Sequence, residues 1–420
     1  MTHPRRRFVT SLVWAISLVV SVGAARGDEI HSAEDEAAQS ITASEMQAHI
    51  EFLADDERQG RKAGSPGGRA AAEYIVEQLK AYSIEPAVDG SYFQEFGNNM
   101  RNVVGILRGS DPEMRDEVVV VGAHYDHIGA GAGRMRGRRP GKGDDSIWNG
   151  ADDNASGTSG VLEIAQAFSL LPQPPKRTMI FIWFDGEEAG LLGSTHYQRE
   201  PVLPLDKTVT MVNLDMIGRG TGERIELYGT TSGEGLLDLV EECNADIDLS
   251  YQVHREMMAN SDHFKFYRSK IPVLFFFTGL HGDYHRPSDH SDKIEVEPME
   301  RIARLTFLIL QRLANDEGRP KFTEVPRRPR LGVWGQFDTD AGGYRIQRLS
   351  RNGHAARSGL KVGDVLLSLG DATITTSQSL KSALWKVDKD SVVPARIVRE
   401  GEEMTIKVHF GQVQRKRGWY

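Results

Sequence analysis

The first three quarters of this 420-residue chain alternate between segments of helical periodicity and short apolar runs. Apolar residues recur at helical spacing in four segments, at 43–55, 67–82, 157–171 and 298–314. Between them lie four apolar runs, at 117–121, 179–184, 209–214 and 273–277. Uninterrupted apolar runs of this length are typical of strands that helices bury on both faces. We therefore expect an α/β fold with a mixed, mostly parallel central sheet and helices on both of its faces.

The pattern changes after a proline-rich segment at 318–330, which predicts a linker. Beyond it the sequence predicts short strands at 344–349, 364–369, 393–399 and 404–410 and one amphipathic helix at about 377–387. We therefore expect a large domain at 28–324, a small β-rich domain at 325–413 and a basic tail at 414–420.

The first 27 residues predict an export signal. Three arginines, Arg5 to Arg7, precede an uncharged run from Phe8 to Ala25 that ends in small residues. The arginines also fit the twin-arginine pattern loosely. The alternative is an uncleaved anchor, because about 18 apolar or small residues could just span a bilayer. We expect cleavage, and hence a periplasmic or extracellular protein that contacts a membrane only if this segment is retained.

The composition, with 39% hydrophobic and 26% charged residues, is that of a soluble globular protein. A single cysteine, Cys243, excludes an intrachain disulfide framework and a thiolate zinc cluster, so histidines and carboxylates must hold any metal. The net charge of −8 conceals a basic C-terminal part, in which residues 327–420 carry about 17 Lys and Arg against about 9 Asp and Glu. Neither part interleaves basic and aromatic residues, so no nucleic-acid partner is expected.

Polar residues follow each predicted strand of the large domain. In chain order these are His124 with Asp126, Glu187 with Glu188, Asp215, and His285. Ligands of open α/β sheets bind at the carboxyl ends of the strands, so these residues predict a site there. A fifth acidic segment, 148–157, precedes a helix, where Asp152 and Asn154 could instead be capping residues. For four other histidines we expect a surface position or a hydrogen bond in the core; they are His127, His263, His281 and His290.

At these five segments the chain resembles the two-zinc exopeptidases that include aminopeptidase Y, bacterial leucyl aminopeptidases and glutamate carboxypeptidases. The resemblance covers roughly residues 40–315 and implies a cofactor of two zinc ions bridged by Asp153. It implies that Glu188 and His285 complete one zinc site, and that His124 and Asp215 complete the other. It further implies that Asp126 orients His124 and that the Asp153–Asn154 peptide bond is cis.

The same resemblance implies hydrolysis of peptide substrates at a chain end, with Glu187 as general base and Tyr284 as a donor to the tetrahedral oxyanion. An exported aminopeptidase is the main interpretation. A carboxypeptidase or dipeptidase on the same site is the nearest alternative, because the metals do not determine which end is cut. A glutaminyl cyclase and a non-enzymatic receptor or scaffold are further alternatives.

The small C-terminal domain resembles a PDZ domain of the bacterial protease type, through the segments 330–335, 355–371 and 380–385. Such domains bind peptide C-termini by strand addition, which here implies that backbone N–H groups near Leu331 to Val333 hold the carboxylate. The alternative is a purely structural β domain.

Overall fold

The structure, a computed structural model, describes residues 25–131, 145–220, 225–325, 329–388 and 390–411. The predicted export signal, apart from its last three residues, and the basic tail at 414–420 lie outside the described residues. The described chain forms two compact units. The first contains the described residues up to Glu324 except Arg255–Met257, and the second contains those three residues and everything described from Val325 onward.

The first unit is built on a mixed sheet. The strands of this unit are β1 (Glu85–Pro86), β2 (Phe93–Phe96), β3 (Met100–Leu107), β4 (Val118–His124), β5 (Gly129–Ala130), β6 (Ile147–Trp148), β7 (Thr178–Phe184), β8 (Thr208–Leu214), β9 (Ile225–Tyr228), β10 (Tyr251–Val253) and β11 (Val273–Phe277). The main sheet has the order β1-β3-β7-β4-β8-β11-β9-β10, with β2 also paired to β3, while β5 and β6 pair only with each other. Neighbours from β7 to β11 are parallel, whereas β3 and β9 join this centre antiparallel. The predicted α/β fold with a mixed sheet is confirmed.

Helices cover both faces of this sheet. They are α1 (Ala25–Ser40), α2 (Ala43–Leu53), α3 (Pro66–Ala81), α4 (Gly157–Ser169), α5 (Leu192–Arg199), α6 (Leu236–Asn244), α7 (His263–Arg268) and α8 (Val296–Asn315). Val119 and Val121 of β4 share one apolar core with residues of α4 and α8. On the other face, the Phe184 ring contacts Tyr197 of α5 and Phe266 of α7. All seven residues of β4 are buried, as expected for a strand covered on both faces.

Local capping defines where helices begin. Ser65 accepts a hydrogen bond from the N–H of Gly68, and Pro66 occupies the first turn of α3, a position that needs no N–H. Thr42 accepts in the same way from Glu45 at the start of α2. No helix in the described parts of the chain is both long and apolar enough to cross a membrane.

The second unit contains a small antiparallel sheet. Its elements are β12 (Val333–Asp338), β13 (Gly343–Leu349), α9 (His354–Arg357), β14 (Val365–Leu369), β15 (Ala372–Thr373), α10 (Ser377–Trp385), β16 (Val392–Arg399) and β17 (Glu402–His409). The sheet order is β12-β13-β14-β16-β17, with β15 paired to β14. Helix α10 begins with a capping box between Thr376 and Ser379. A separate apolar core, which includes Ile346, Leu366 and Ile397, fills this unit.

Candidate metal centre

Five polar segments reach the same edge of the main sheet. The central parallel strands end side by side, in the order β7, β4, β8, β11. The segments are the end of β4 with His124 and Asp126, the turn at 151–156 with Asp153, the turn after β7 with Glu187 and Glu188, the end of β8 with Asp215, and the loop after β11 with His285. Because parallel strands deliver their carboxyl ends to one edge, residues far apart in sequence meet there.

The Asp153 carboxylate lies between two groups of imidazole and carboxylate atoms that are candidate metal donors. Its Oδ1 is 3.4 Å from Nε2 of His124, and that nitrogen is 3.3 Å from Oδ1 of Asp215. Its Oδ2 is 3.1 Å from Nε2 of His285, and that nitrogen is 3.0 Å from Oε1 of Glu188. We call His124, Asp153 and Asp215 the first donor group, and Asp153, Glu188 and His285 the second donor group. The two oxygens of one carboxylate therefore face different groups.

Both donor groups have the chemistry and the spacing that zinc requires. Zinc binds imidazole nitrogen and carboxylate oxygen at about 2.0–2.2 Å in tetrahedral geometry, which places neighbouring donor atoms about 3.3–3.6 Å apart. The separations of 3.3 and 3.4 Å in the first donor group match this spacing, and those of 3.0 and 3.1 Å in the second are slightly shorter. The residues present therefore fit zinc.

A further histidine, His127, lies at the second donor group. Its side chain is buried, its Nδ1 is 3.0 Å from Oε1 of Glu188, and the same nitrogen is 3.9 Å from Oδ2 of Asp153. Together these three residues form a cluster that could hold a metal ion. The sequence analysis expected a surface position or a core hydrogen bond for His127, and the structure instead places it at the centre. Its position three residues after His124, just past a strand end, was the only signal in the sequence.

The other three competing histidines lie outside the two donor groups. His263 is buried, its Nε2 lies 2.8 Å from the main-chain oxygen of Met258, and it matches the expected core hydrogen bond. Nε2 of His281 is 3.1 Å from Oδ2 of Asp152. The side chain of His290 is 41% exposed.

Asp126 connects the first donor group to the turn that carries Glu187. Its main-chain oxygen is 3.1 Å from Nδ1 of His124, and its Oδ1 is 3.7 Å from the same nitrogen. That Oδ1 also accepts a hydrogen bond of 3.0 Å from the main-chain N–H of Glu187. A fully buried carboxylate thus contacts both the imidazole of His124 and the turn after β7. A carboxylate beside the second nitrogen of a ligating histidine fixes its orientation.

The backbone around Asp153 is held by residues from other loops. Oδ2 of Asp289 accepts hydrogen bonds from the N–H groups of Asp152, at 2.9 Å, and of Asp153, at 3.2 Å. Arg219 is 3.1 Å from the other oxygen of Asp289. The peptide bond between Asp153 and Asn154 is cis, so that prediction is confirmed. The sequence analysis gave Asp289 no role, although it lies four residues after His285.

Arg61 is a buried cation beneath the loops of the centre. Its guanidinium donates to four main-chain carbonyls: Tyr125 at 2.9 Å, Leu53 at 2.7 Å, Asn149 at 2.5 Å and Gly150 at 2.8 Å. Burial lowers the pKa of Arg61 to about 10, and nearby carboxylates of the centre oppose that change. The arginine therefore joins the loop after β4 to the segment before Asp153. Nothing in the local sequence indicated this role.

The pKa values of the adjacent residues Glu187 and Glu188 are shifted in opposite directions. Burial raises the pKa of Glu187 well above its usual value, against the effect of His124, and the Asp215 carboxylate adds to the rise. Burial also opposes ionisation of Glu188, but the rings of His127 and His285 outweigh it and lower the pKa of Glu188 to about 2. Paired carboxyl groups with opposite shifts are suited to different roles, one as a ligand and one as a proton acceptor.

Tyr284 lies beside the second donor group, where its ring stacks on that of His285 at 3.8 Å between centroids. It also packs against an apolar cluster that consists of Met216, Tyr228, Phe275 and Phe277. The structure therefore brings every predicted ligand together, with Asp126, Glu187 and Tyr284 next to them.

Comparison with known proteins yields two family matches. Residues 102–310 match Peptidase family M28, and residues 329–410 match a PDZ domain. The first match includes all five segments of the centre, and the second covers the described sheet of the second unit.

Similar proteins are named as aminopeptidases. A probable leucine aminopeptidase of Trichophyton verrucosum is 28% identical over 60% of this chain and 66% of its own length. Aminopeptidase YwaD of Bacillus subtilis is 27% identical over 53% of this chain, but the match spans only 46% of that protein. The chain thus covers less than two thirds of these relatives.

Solved structures show the same fold. LapA aminopeptidase of Legionella pneumophila has a TM-score of 0.56 and 19% identity, with 74% of this chain and 81% of that chain covered. BSAP, a zinc aminopeptidase from Bacillus subtilis, has a TM-score of 0.53 and 16% identity, with 68% and 99% covered. These likenesses confirm the zinc-peptidase type of α/β fold predicted for the larger domain. The larger domain is thus similar to Peptidase family M28 over residues 102–310, and the second unit is similar to a PDZ domain over residues 329–410.

Proposed function

We propose that residues 28–324 form a zinc-dependent exopeptidase domain, specifically an aminopeptidase, with two zinc ions. The observation that carries this proposal is the position of Asp153, which turns one carboxylate oxygen toward each donor group. A carboxylate shared in this way is the bridge that a two-metal hydrolase needs. The names of the related aminopeptidases support the choice of the amino end of the substrate.

In this proposal Glu187 is the general base. Two zinc ions, when bound, would polarise the scissile carbonyl and acidify a nearby water. A carboxylate oxygen of Glu187 accepts the proton of that water and later returns it to the leaving amine. Asp126 keeps His124 oriented and bonds the Glu187 N–H, and the Tyr284 hydroxyl donates to the developing oxyanion.

Metal analysis together with a substrate panel tests this function. Purified protein should contain two zinc ions per chain and should hydrolyse peptides with a free amino terminus but not N-blocked ones. Asp153→Ala should lose most of both ions. Cleavage of N-blocked peptides from the carboxyl end would favour a carboxypeptidase, and cleavage of dipeptides alone a dipeptidase. Cyclisation of N-terminal glutamine would favour a glutaminyl cyclase, and the absence of both zinc and hydrolysis a receptor or scaffold.

We further propose that residues 1–27 direct export and that the enzyme acts in the periplasm or outside the cell. The support is the arginine-led apolar run of this segment. Fractionation of the producing cells and N-terminal sequencing of the mature protein test the proposal. Retention of Met1 in a cytoplasmic fraction would contradict it.

The PDZ domain, within our predicted limits 325–413, is proposed to bind peptide C-termini. Strand β12 pairs with β13 and lies at an edge of the described sheet, where another strand could be added. Gly332, with a φ of +80°, shapes the turn before that strand, and Trp334 beside it is 47% exposed. Calorimetric titration with a peptide library should detect binding that depends on a free carboxylate. Equal binding of C-terminally amidated peptides would contradict carboxylate capture.

A further inference from the structure

We propose that His127 is a fourth protein ligand at the second donor group, so that the two zinc positions of the centre differ in kind. This inference rests on the proposed two-zinc function and deepens it. The second position would be filled by four protein donors, whereas the first donor group supplies only three.

The position of the His127 ring supports direct ligation. Its Nδ1 is 3.0 Å from Oε1 of Glu188, the same distance as separates Nε2 of His285 from that oxygen. Two imidazoles thus approach one carboxylate oxygen equally closely. The nitrogen is also 3.9 Å from Oδ2 of Asp153. These separations bracket the spacing of about 3.3–3.6 Å expected between donors of a tetrahedral zinc site.

The hydrogen bonding of His127 points the same way. Its side chain is buried, and neither ring nitrogen makes a hydrogen bond of regular geometry with the described residues, although Nδ1 lies 3.0 Å from Oε1 of Glu188. A buried polar group without such a bond destabilises the folded chain. His124 differs, because its Nδ1 faces the main-chain oxygen of Asp126 at 3.1 Å. Coordination through Nδ1 would give this nitrogen of His127 a bonding partner other than the Glu188 carboxylate, its nearest charged neighbour among the described residues.

Packing holds the His127 ring in this position. A Cβ placed on Gly150 would lie 2.5 Å from Cγ and Cδ2 of His127 and 2.3 Å from the main-chain oxygen of Asp153. Gly150 also has a φ of +60°, which favours glycine. The absence of a side chain at Gly150 therefore lets the imidazole pack against the segment that carries Asp153.

The competing interpretation is that His127 only donates a hydrogen bond to Glu188 and orients it. Asparagine distinguishes the two, because its amide N–H can replace the Nδ1–H donor but its side chain is a poor zinc ligand. His127→Asn should therefore keep a positioning role and lose a ligand role.

A fourth protein donor at the second donor group should make the two zinc positions differ in affinity and in access to water or substrate. A zinc ion with four protein ligands is closed, as in structural sites, whereas three ligands leave a position for water or substrate. The second donor group with His127 should therefore bind zinc more tightly and fill first. The first donor group should carry the exchangeable position.

X-ray absorption of the wild-type chain at the zinc edge tests this without any substitution. Loaded with one equivalent of zinc, the protein should show two imidazoles per ion, and with two equivalents three imidazoles shared by two ions. One imidazole per ion at both loadings would overturn the proposal while leaving the two-zinc centre intact. Failure to bind two equivalents would overturn both.

Competition with a chelator gives the matching test with variants. His127→Ala and His127→Asn should each weaken the tighter zinc equivalent by more than about 100-fold, beyond the 10–100-fold expected when only a second-layer contact is lost. His290→Ala, at a partly exposed histidine outside both donor groups, should leave zinc affinity unchanged. Wild-type affinity in His127→Asn would assign His127 a positioning role and overturn the proposal.

Discussion

Replacement of Arg61 by lysine should destabilise the fold and the metal centre together. The guanidinium satisfies four buried carbonyls, whereas a lysine ammonium has three donors on one atom and a different reach. Three donors cannot serve four carbonyls, and one nitrogen atom cannot reach all four positions, so about two carbonyls should lose their hydrogen-bond donor. Hydrogen bonds to charged groups are each worth about 1.5–3 kcal/mol, so the loss of two should lower the free energy of unfolding of Arg61→Lys by about 3–6 kcal/mol.

The zinc affinity should fall in the same variant. The carbonyls of Asn149 and Gly150 belong to the segment before Asp153, and that of Tyr125 follows His124. Loss of these bonds loosens the loops that carry ligands of both donor groups, so we expect zinc binding to weaken about 10–100-fold. Urea unfolding of the zinc-free protein measures the stability, and chelator competition measures the affinity.

Arg177 provides a matched control. It is equally buried, donates to the main-chain carbonyls of Leu313 and Asp316, and pairs with Glu117 at 2.6 Å. None of its hydrogen bonds within the described residues reaches a segment of the centre. Arg177→Lys should therefore destabilise the fold while zinc affinity stays at the wild-type level. A loss below about 1 kcal/mol in Arg61→Lys, or equal zinc affinities in the two variants, would refute the reasoning.

Three further predictions follow from the geometry. Glu187→Gln should retain zinc but lose about 10²–10⁴-fold in turnover, whereas Glu188→Gln should lose zinc first; identical metal contents and rates in the two variants would contradict these roles. A chain that ends at residue 324 should hydrolyse small aminoacyl substrates at nearly the full rate, because no donor lies beyond it; loss of zinc in that chain would argue against this. Burial lowers the pKa of His263 to about 3. Below about pH 6.5 the unfolded chain therefore binds a proton that the folded chain excludes, so the free energy of unfolding decreases as the pH is lowered. His263→Phe, which keeps the stack on Phe275, should reduce that fall by about 1.4 kcal/mol per pH unit between pH 6.5 and 3. Urea unfolding of both zinc-free proteins at pH 7.5 and 5.5 measures this, and equal losses would count against it.

The sequence predicted the central strands because buried parallel strands carry an unmistakable apolar run. Strand β11 has the predicted bounds, and β7 and β8 each begin one residue earlier than expected. Helix α5 was not predicted, since its sequence LGSTHYQR has little apolar periodicity. It is stabilised by tertiary contact instead, through Tyr197 against Phe184 and Phe266.

The candidate site likewise contains residues that the sequence predicted and residues that it did not. Residues at strand ends, such as His124 as the last residue of β4 and Asp215 directly after β8, could be placed from the sequence because the strand end fixes their location. The positions of His127, Arg61 and Asp289 depend on loops that meet only in three dimensions. His127 reaches Glu188 because Gly150 leaves room for its ring, and no local pattern encodes that contact.

The proposed zinc ligands around Asp153 lie far apart along the chain, and this separation bears on when zinc enters the protein. In a zinc finger the ligands lie close together in sequence, and the metal drives folding. Here His124 ends β4 and His285 follows β11, so the donor atoms converge only after the non-local pairings of the sheet have formed. Such pairings form slowly, and the extensive apolar core that packs against them includes none of the proposed zinc ligands. Zinc is therefore expected to enter at the end of folding, and a zinc-starved chain should remain folded and take up the metal without refolding.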